Sequence, residues 1–391
     1  MAPVAISRVY LDYNAAAPLR PEARAAMLEA LDALGNPSSI HAEGRKARAI
    51  VEEARRAVAA LAGAEPRAVV FVSGGTEAAN LALTPAITAP GRKAALARLI
   101  VSAGEHPCVL SGHRFAPEAV AIAPLAPDGR VDLGRLAALA GEGDGAPLLA
   151  LQAANNETGV LQPVGEAAAL VHGAGGVVVC DAVQAPGRID LVTATAGADF
   201  LLLSAHKLGG PKGAGAVVAL RSDLTIEAPL LRGGGQERGQ RAGTENVAAI
   251  AGFGAAARLA AAETELEARR LAALRDRLEA KLREAAPEAV VFGAAAPRLA
   301  NTLAFAAPGV VASTLLIALD LAGLAVSSGS ACSSGKVTPS HVLAAMGIEP
   351  SLAAGAIRVS FGWASRETDV DRFAAAFSEV LAGLRRRRGV A

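Results

Sequence analysis

Phe200-Leu-Leu-Leu-Ser-Ala-His-Lys207, running on into Leu-Gly-Gly-Pro-Lys-Gly213, decides the fold. Four apolar residues in a row, too short for a helix, suit a strand buried on both faces. The run then breaks into a hydroxyl, an imidazole and an amine at Ser204, His206 and Lys207. The same pattern repeats outward. Val177–Cys180 ends at Asp181, Leu148–Ala153 leads to Asn156, Arg98–Ser102 to His106, and Ala68–Val72 to Thr76. Ala119–Ala123 and Ala214–Leu220 complete seven strand candidates. Alanine-rich helical stretches separate them, such as Val164–His172, closed by Gly173. Strands alternating with helices predict an α/β fold, a mostly parallel sheet covered on both faces. Ligands of such sheets bind beyond the carboxyl ends of the strands, where these polar residues collect.

The rest of the composition narrows the class. The chain has 391 residues, 38 basic and 37 acidic side chains, and a net charge of +1. That balance offers no electrostatic footprint for nucleic acid or an anionic membrane. The one basic cluster, Arg385–Arg388, reads as a solvated tail. The apolar stretches Val247–Ala262 and Val310–Val326 are interrupted by Arg258 and Asp320 and fall short of a membrane span. No basic segment followed by an apolar run opens the chain, so a cytoplasmic, reducing setting is expected. Cys108, Cys180 and Cys332 are odd in number and widely spaced, which supports neither a disulfide framework nor a metal site. A long helix is predicted from about Val247 to Ala286, with Leu266, Leu274, Leu278 and Leu282 as its apolar stripe and Pro287 ending it.

Four segments carry chemistry. In Phe71-Val-Ser-Gly-Gly-Thr-Glu77 a strand runs through two glycines into a helix start, either a phosphate cradle or an ordinary tight turn. Lys207, just past an apolar strand, is either a lysine packed by its stem or an amine activated for a carbonyl, as in a pyridoxal phosphate Schiff base. Asp181, at a strand end, could face the cofactor's pyridine nitrogen or cap the next helix. Cys332 lies in Ser327-Ser-Gly-Ser-Ala-Cys-Ser-Ser-Gly335, a polar loop composition that makes its thiol a candidate nucleophile.

Together these segments resemble the cysteine desulfurases of the NifS/IscS type, among the class-V aminotransferases of the fold-type-I pyridoxal phosphate enzymes. The resemblance runs from Tyr10-Leu-Asp-Tyr-Asn-Ala-Ala-Ala-Pro18 to Ile357-Arg-Val-Ser-Phe-Gly362. Its most specific parts are Asn155-Asn-Glu-Thr-Gly159, the segment 204–213, Gly233-Gly-Gly-Gln-Glu-Arg-Gly-Gln-Arg-Ala-Gly-Thr-Glu-Asn246, and 327–334. It implies a large domain, 15–260, with a seven-stranded sheet. A smaller α+β domain, 1–14 and 261–391, would carry a mobile cysteine loop at about 327–337.

It also implies roles. Lys207 would hold pyridoxal phosphate, Asp181 would pair with its pyridine nitrogen, and His106 would stack on the ring and shuttle protons. Gln184 and Asn156 would bond the phenolic oxygen side. Thr76, Ser204 and His206, with the Gly75 and Thr76 amides, would bind phosphate. Thr244 would reach the cofactor of a neighbouring subunit in a homodimer, and Arg358, assisted by Asn36, would clamp the substrate carboxylate. Cys332 would take sulfur from L-cysteine as a persulfide, leaving L-alanine, and pass it to an acceptor protein for iron–sulfur or other thio-cofactor synthesis. Other readings are a selenocysteine lyase, a class-V aminotransferase, and a catalytically idle scaffold. The chain departs from the pattern at Ala16-Ala17 and Cys180, and its C-terminus lacks a recognisable scaffold-docking motif.

Overall fold

The seven apolar runs form one sheet in the computed structural model, which describes residues 8–89, 96–328 and 339–387. They are β1 (Val69–Val72), β2 (Leu96–Ser102), β3 (Val120–Ala123), β4 (Ala146–Gln152), β5 (Val177–Asp181), β6 (Phe200–Ser204) and β7 (Gly215–Ala219). Each matches an expected strand to within two residues at either end. The spatial order is β1-β7-β6-β5-β4-β2-β3. Only β7 runs against its neighbours, pairing antiparallel with both β1 and β6. The sheet is therefore mostly parallel, as expected.

Alternate side chains feed two cores, one on each face. Val178, Cys180, Leu201 and Leu203 pack on one side with Val58 and Phe253. Val179, Phe200 and Leu202 pack on the other with Leu81 and Leu148. Cys180, fully buried, is a core residue, as its apolar neighbours implied.

The long helix spans Val247–Ala285, with Asn246 as its N-cap accepting from the Ala249 N–H at 3.2 Å. By length and composition it could cross a membrane, contrary to the expectation drawn from Arg258. Its early apolar residues, among them Ile250, Phe253 and Ala257, belong instead to the sheet's core. Farther along, its stripe needs correcting. Leu271, Leu274, Leu278 and Leu282 are buried, whereas Leu266 is 72% exposed. Leu266 lies five positions before Leu271, an offset that turns it onto the solvent side.

That stripe enters a third core built around an antiparallel sheet of Val290–Val291, Thr302–Ala306 and Ile357–Ser360. Phe305 packs edge-on against Phe373 and Phe377 of the helix Glu367–Arg387. Val9 and Leu11 join this core, and Val9–Tyr10 pairs in parallel with Leu324–Ala325. Arg385 is not in a solvated tail. It lies in the last turns of that helix and pairs with Glu288.

Candidate active site

The carboxyl ends of β1, β2, β4, β5 and β6 open onto one cavity of about 360 Å³. Gly75, Thr76, His106, Asn156, Asp181, Gln184, Ser204, His206, Lys207 and Arg358 all line it. Strand order brings the residues from 75 to 207 together, and Arg358 joins them from the separate antiparallel sheet.

Lys207 closes a one-turn 3₁₀ helix after β6. Its Nζ donates to the carbonyls of Asn14 (2.7 Å) and Ala15 (2.9 Å), which hold the amine in place. Asp181 Oδ1 accepts the Val183 N–H at 2.9 Å. Burial raises the Asp181 carboxyl above its ordinary range, against the opposing pull of that hydrogen bond and of Lys207.

His106 caps the short helix Pro107–Leu110, its Nδ1 accepting the Cys108 N–H at 3.2 Å. The neutral ring therefore carries its proton on Nε2. Burial, then Lys207 and His341, lowers the His106 pKa to about 4. Burial, Lys207 and Lys212 do the same at His206. Both imidazoles are neutral near pH 7.

On the opposite wall, Arg358 donates from Nη2 to Asp12 Oδ1 (2.7 Å) and from Nη1 to the Asn156 carbonyl (2.9 Å). Its Nε is buried without a hydrogen-bond partner.

The cavity fits a phosphorylated pyridine aldehyde. Ser204 Oγ and His206 Nδ1 are buried polar atoms with no partner in the protein, and both residues line the cavity beside Gly75 and Thr76. Orphaned polar atoms are costly unless a ligand satisfies them. The glycine turn is held close by the sheet, since a Cβ on Gly215 would come within 2.7 Å of Gly74 Cα. That turn starts the helix Gly75–Ala82, whose free N–H groups suit a phosphate. Asp181, part-buried in the cavity wall, offers a carboxylate that suits a protonated ring nitrogen, and Lys207 supplies the amine.

Two expected residues lie elsewhere. Asn36 and Thr244 sit together, Asn36 Nδ2 to Thr244 Oγ1 at 3.4 Å, and neither lines the Lys207 cavity. Within one protomer Asn36 does not assist Arg358. Cys332 and the rest of 329–338 lie outside the described residues.

Several participants escaped the sequence reading. Asn14 and Ala15 provide the lysine's acceptors, and their signal was position alone, inside the quoted segment 10–18. Cys108, read only for a disulfide or a metal site, lines the cavity with Sγ 3.0 Å from His106 Nδ1. Burial, then Asp181 and Glu105, pushes that thiol up to about 12, so it is protonated. Glu105 is fully buried, accepts the Gln152 N–H at 2.8 Å and leaves Oε2 unpartnered. Burial first, and Asp181 second, push its carboxyl well above its ordinary value.

The chain is similar to known proteins in sequence and in fold. A family model for class-V aminotransferases matches residues 9–373. A cysteine desulfurase of Cereibacter sphaeroides is 42% identical over 97% of this chain and 97% of its own. An IscS-like cysteine desulfurase of Mycobacterium tuberculosis is 38% identical over 96% of this chain and 95% of its own. The structure of a NifS-like protein from Rickettsia africae superposes with a TM-score of 0.86 at 32% identity, covering 96% of this chain and 99% of that one.

Proposed function

We infer the reaction from one premise: this chain belongs to the class-V aminotransferase family. It is a cysteine desulfurase that depends on pyridoxal phosphate. The observation that carries this reading is the Lys207 amine, held by two carbonyls in a cavity with orphaned phosphate donors and a part-buried carboxylate.

When bound, the cofactor supplies an electron sink for the pair left at the substrate Cα. The chain's own residues do the rest. Ser204, His206 and Thr76, with the amides of the Gly75 turn, bind phosphate. Lys207 would hold the cofactor through its amine, and the same amine would accept the substrate's Cα proton. Asp181 would accept a hydrogen bond from the protonated pyridine nitrogen at its carboxylate. His106 would offer its Nε2–H as a hydrogen-bond donor within the cavity. Arg358 binds the L-cysteine carboxylate bidentately, exchanging Asp12 for it, with its buried Nε as an additional donor. The Cys332 thiolate forms a sulfur–sulfur bond as the substrate's carbon–sulfur bond breaks. L-alanine and a Cys332 persulfide result.

The sulfur then passes to an acceptor protein in iron–sulfur or other thio-cofactor assembly, in a reducing, cytoplasmic setting. The active unit is a homodimer in which Thr244 serves the partner's cofactor. Apolar side chains left exposed around Asn36 and Thr244 support this, with Leu31 at 68%, Leu34 at 76% and Ile40 at 90%. The divided cores support a large domain at 15–260 and a small one at 1–14 and 261–391.

The test is turnover of L-cysteine by the wild type and Cys332→Ala, following alanine and bound persulfide. The variant should lose both sulfide and alanine production while keeping its bound cofactor. Undiminished alanine formation would remove the persulfide step.

A further inference from the structure

Arg188 is a buried charge that the reaction as described does not use. It is 5% exposed, and among the described residues no carboxylate pairs with it. The charged groups around it are otherwise engaged. Arg20 pairs with Glu263 at 2.8 Å and Glu267 with Arg270 at 2.7 Å, while Arg358 is held by Asp12. Burial, with Arg358 adding to it, lowers the Arg188 pKa to about 9. A cation kept in such a place at such a cost needs a reason.

Its hydrogen bonds supply one. Nη2 donates to the carbonyls of Tyr13 (3.2 Å) and Lys207 (3.3 Å). Nη1 donates to the Gln184 carbonyl (3.3 Å) and to Gln184 Oε1. A guanidinium can only donate, so it fixes which end of the Gln184 amide faces it. Gln184 Nε2 is thereby turned the other way, where it donates to the Asn14 carbonyl at 3.0 Å. That same carbonyl accepts from Lys207 Nζ. An amide nitrogen has two hydrogens, and Gln184 lines the cavity, so one N–H is left for a ligand oxygen.

We propose that Arg188 is a positioning residue for the cofactor. It locks Gln184 as a hydrogen-bond donor into the cavity and braces the two segments, 13–15 and 207, between which the reactive amine is held. The inference rests on Lys207 carrying pyridoxal phosphate. It has a definite electrostatic sign. A locked N–H donor favours an anionic oxygen on the cofactor, and a fixed positive charge nearby disfavours a second one at Nζ. Both lower the pH at which the Lys207 Schiff base loses its proton.

The experiment is a pH titration of the visible absorption of three holoenzymes: wild type, Arg188→Lys and Arg188→Met. Arg188→Met should titrate higher by about one pH unit or more, the size expected for a lost neighbouring charge. Arg188→Lys keeps the charge but loses the planar fork, so its midpoint should fall between the other two. A merely structural arginine would lower the melting temperature and leave the midpoints alone. Coincident midpoints would overturn the proposal, and if Arg188→Met does not fold, an unmoved Arg188→Lys does so by itself. A wild type that shows no visible band after addition of pyridoxal phosphate would overturn the parent reading as well. A band that is present but unmoved overturns this proposal alone.

Discussion

His106 and His206 show how single side chains are tuned by a shared neighbour. Each is buried beside Lys207, and each titrates at about 4 in the fold. In an unfolded chain a histidine titrates near pH 6.5. Between those values the unfolded state binds the extra proton, so stability must fall as pH drops through about 6.5 toward 4. Replacing His106 with Gln removes one such proton site. The melting temperature of cofactor-free wild type relative to His106→Gln should therefore decline as pH is taken from about 7.5 to about 5. A difference that holds constant over that range would mean the ring is not held neutral by its surroundings. Glu105, one residue away from His106, is shifted the other way, since burial and then Asp181 disfavour its charged form.

At the scale of an element, the turn Gln236–Gly239 is the most constrained. Glu237 and Arg238 both have positive φ, 47° and 56°. For non-glycine residues this costs about 1–2 kcal/mol each. The turn persists because its side chains are clamped. Glu237 accepts both Nη1 and Nη2 of buried Arg55, at 2.7 and 2.8 Å, and also the Phe71 N–H at 3.0 Å. Arg238 donates to the Val69 carbonyl at 2.8 Å. The glycine-rich segment is thus fastened to β1 and holds Thr244 in place beside Asn36. Glu237→Gln should cost about 2–3 kcal/mol in urea unfolding, because it removes the buried partner of the Arg55 charge and leaves it only the part-exposed Glu52 at 3.1 Å. The double variant Arg55→Met/Glu237→Leu should lose much less. Equal losses would show that the turn's stability does not depend on an unpaired charge. The strands were legible before this turn was, and for a physical reason. Apolar runs of four to seven residues are a local signal, whereas a positive-φ turn is specified by a distant arginine. The stripe of the long helix shows the same limit. Leu266 and Leu271 are alike in composition, and only the helix phase against the third core separates them.

Across the whole molecule, the cavity was readable because parallel strands place their ends on one edge, so Thr76, His106, Asp181 and Lys207 needed no contact information. Asn14 and Arg188 did need it. The Asn14 carbonyl holds an amine 193 positions away and Arg188 reaches the Tyr13 carbonyl 175 positions away, and no spacing rule encodes either. Asn36 and Thr244 were read from resemblance alone, and one protomer leaves them beside each other on a surface that exposes Leu31, Leu34 and Ile40. If a second copy covers that surface, each site takes Lys207 from one subunit and Thr244 from the other. Mixed dimers of Lys207→Ala and Thr244→Asp then discriminate sharply. Each parent homodimer should be inactive, the first lacking its amine and the second repelling phosphate with a carboxylate. In the mixed dimer one site combines an intact Lys207 with an intact Thr244, and the other carries both defects. Tagged and purified, it should recover about half the wild-type desulfuration per dimer, since a two-fold assembly has two equivalent sites. If Thr244 serves its own subunit, each site of the mixed dimer keeps one defect and the activity stays absent.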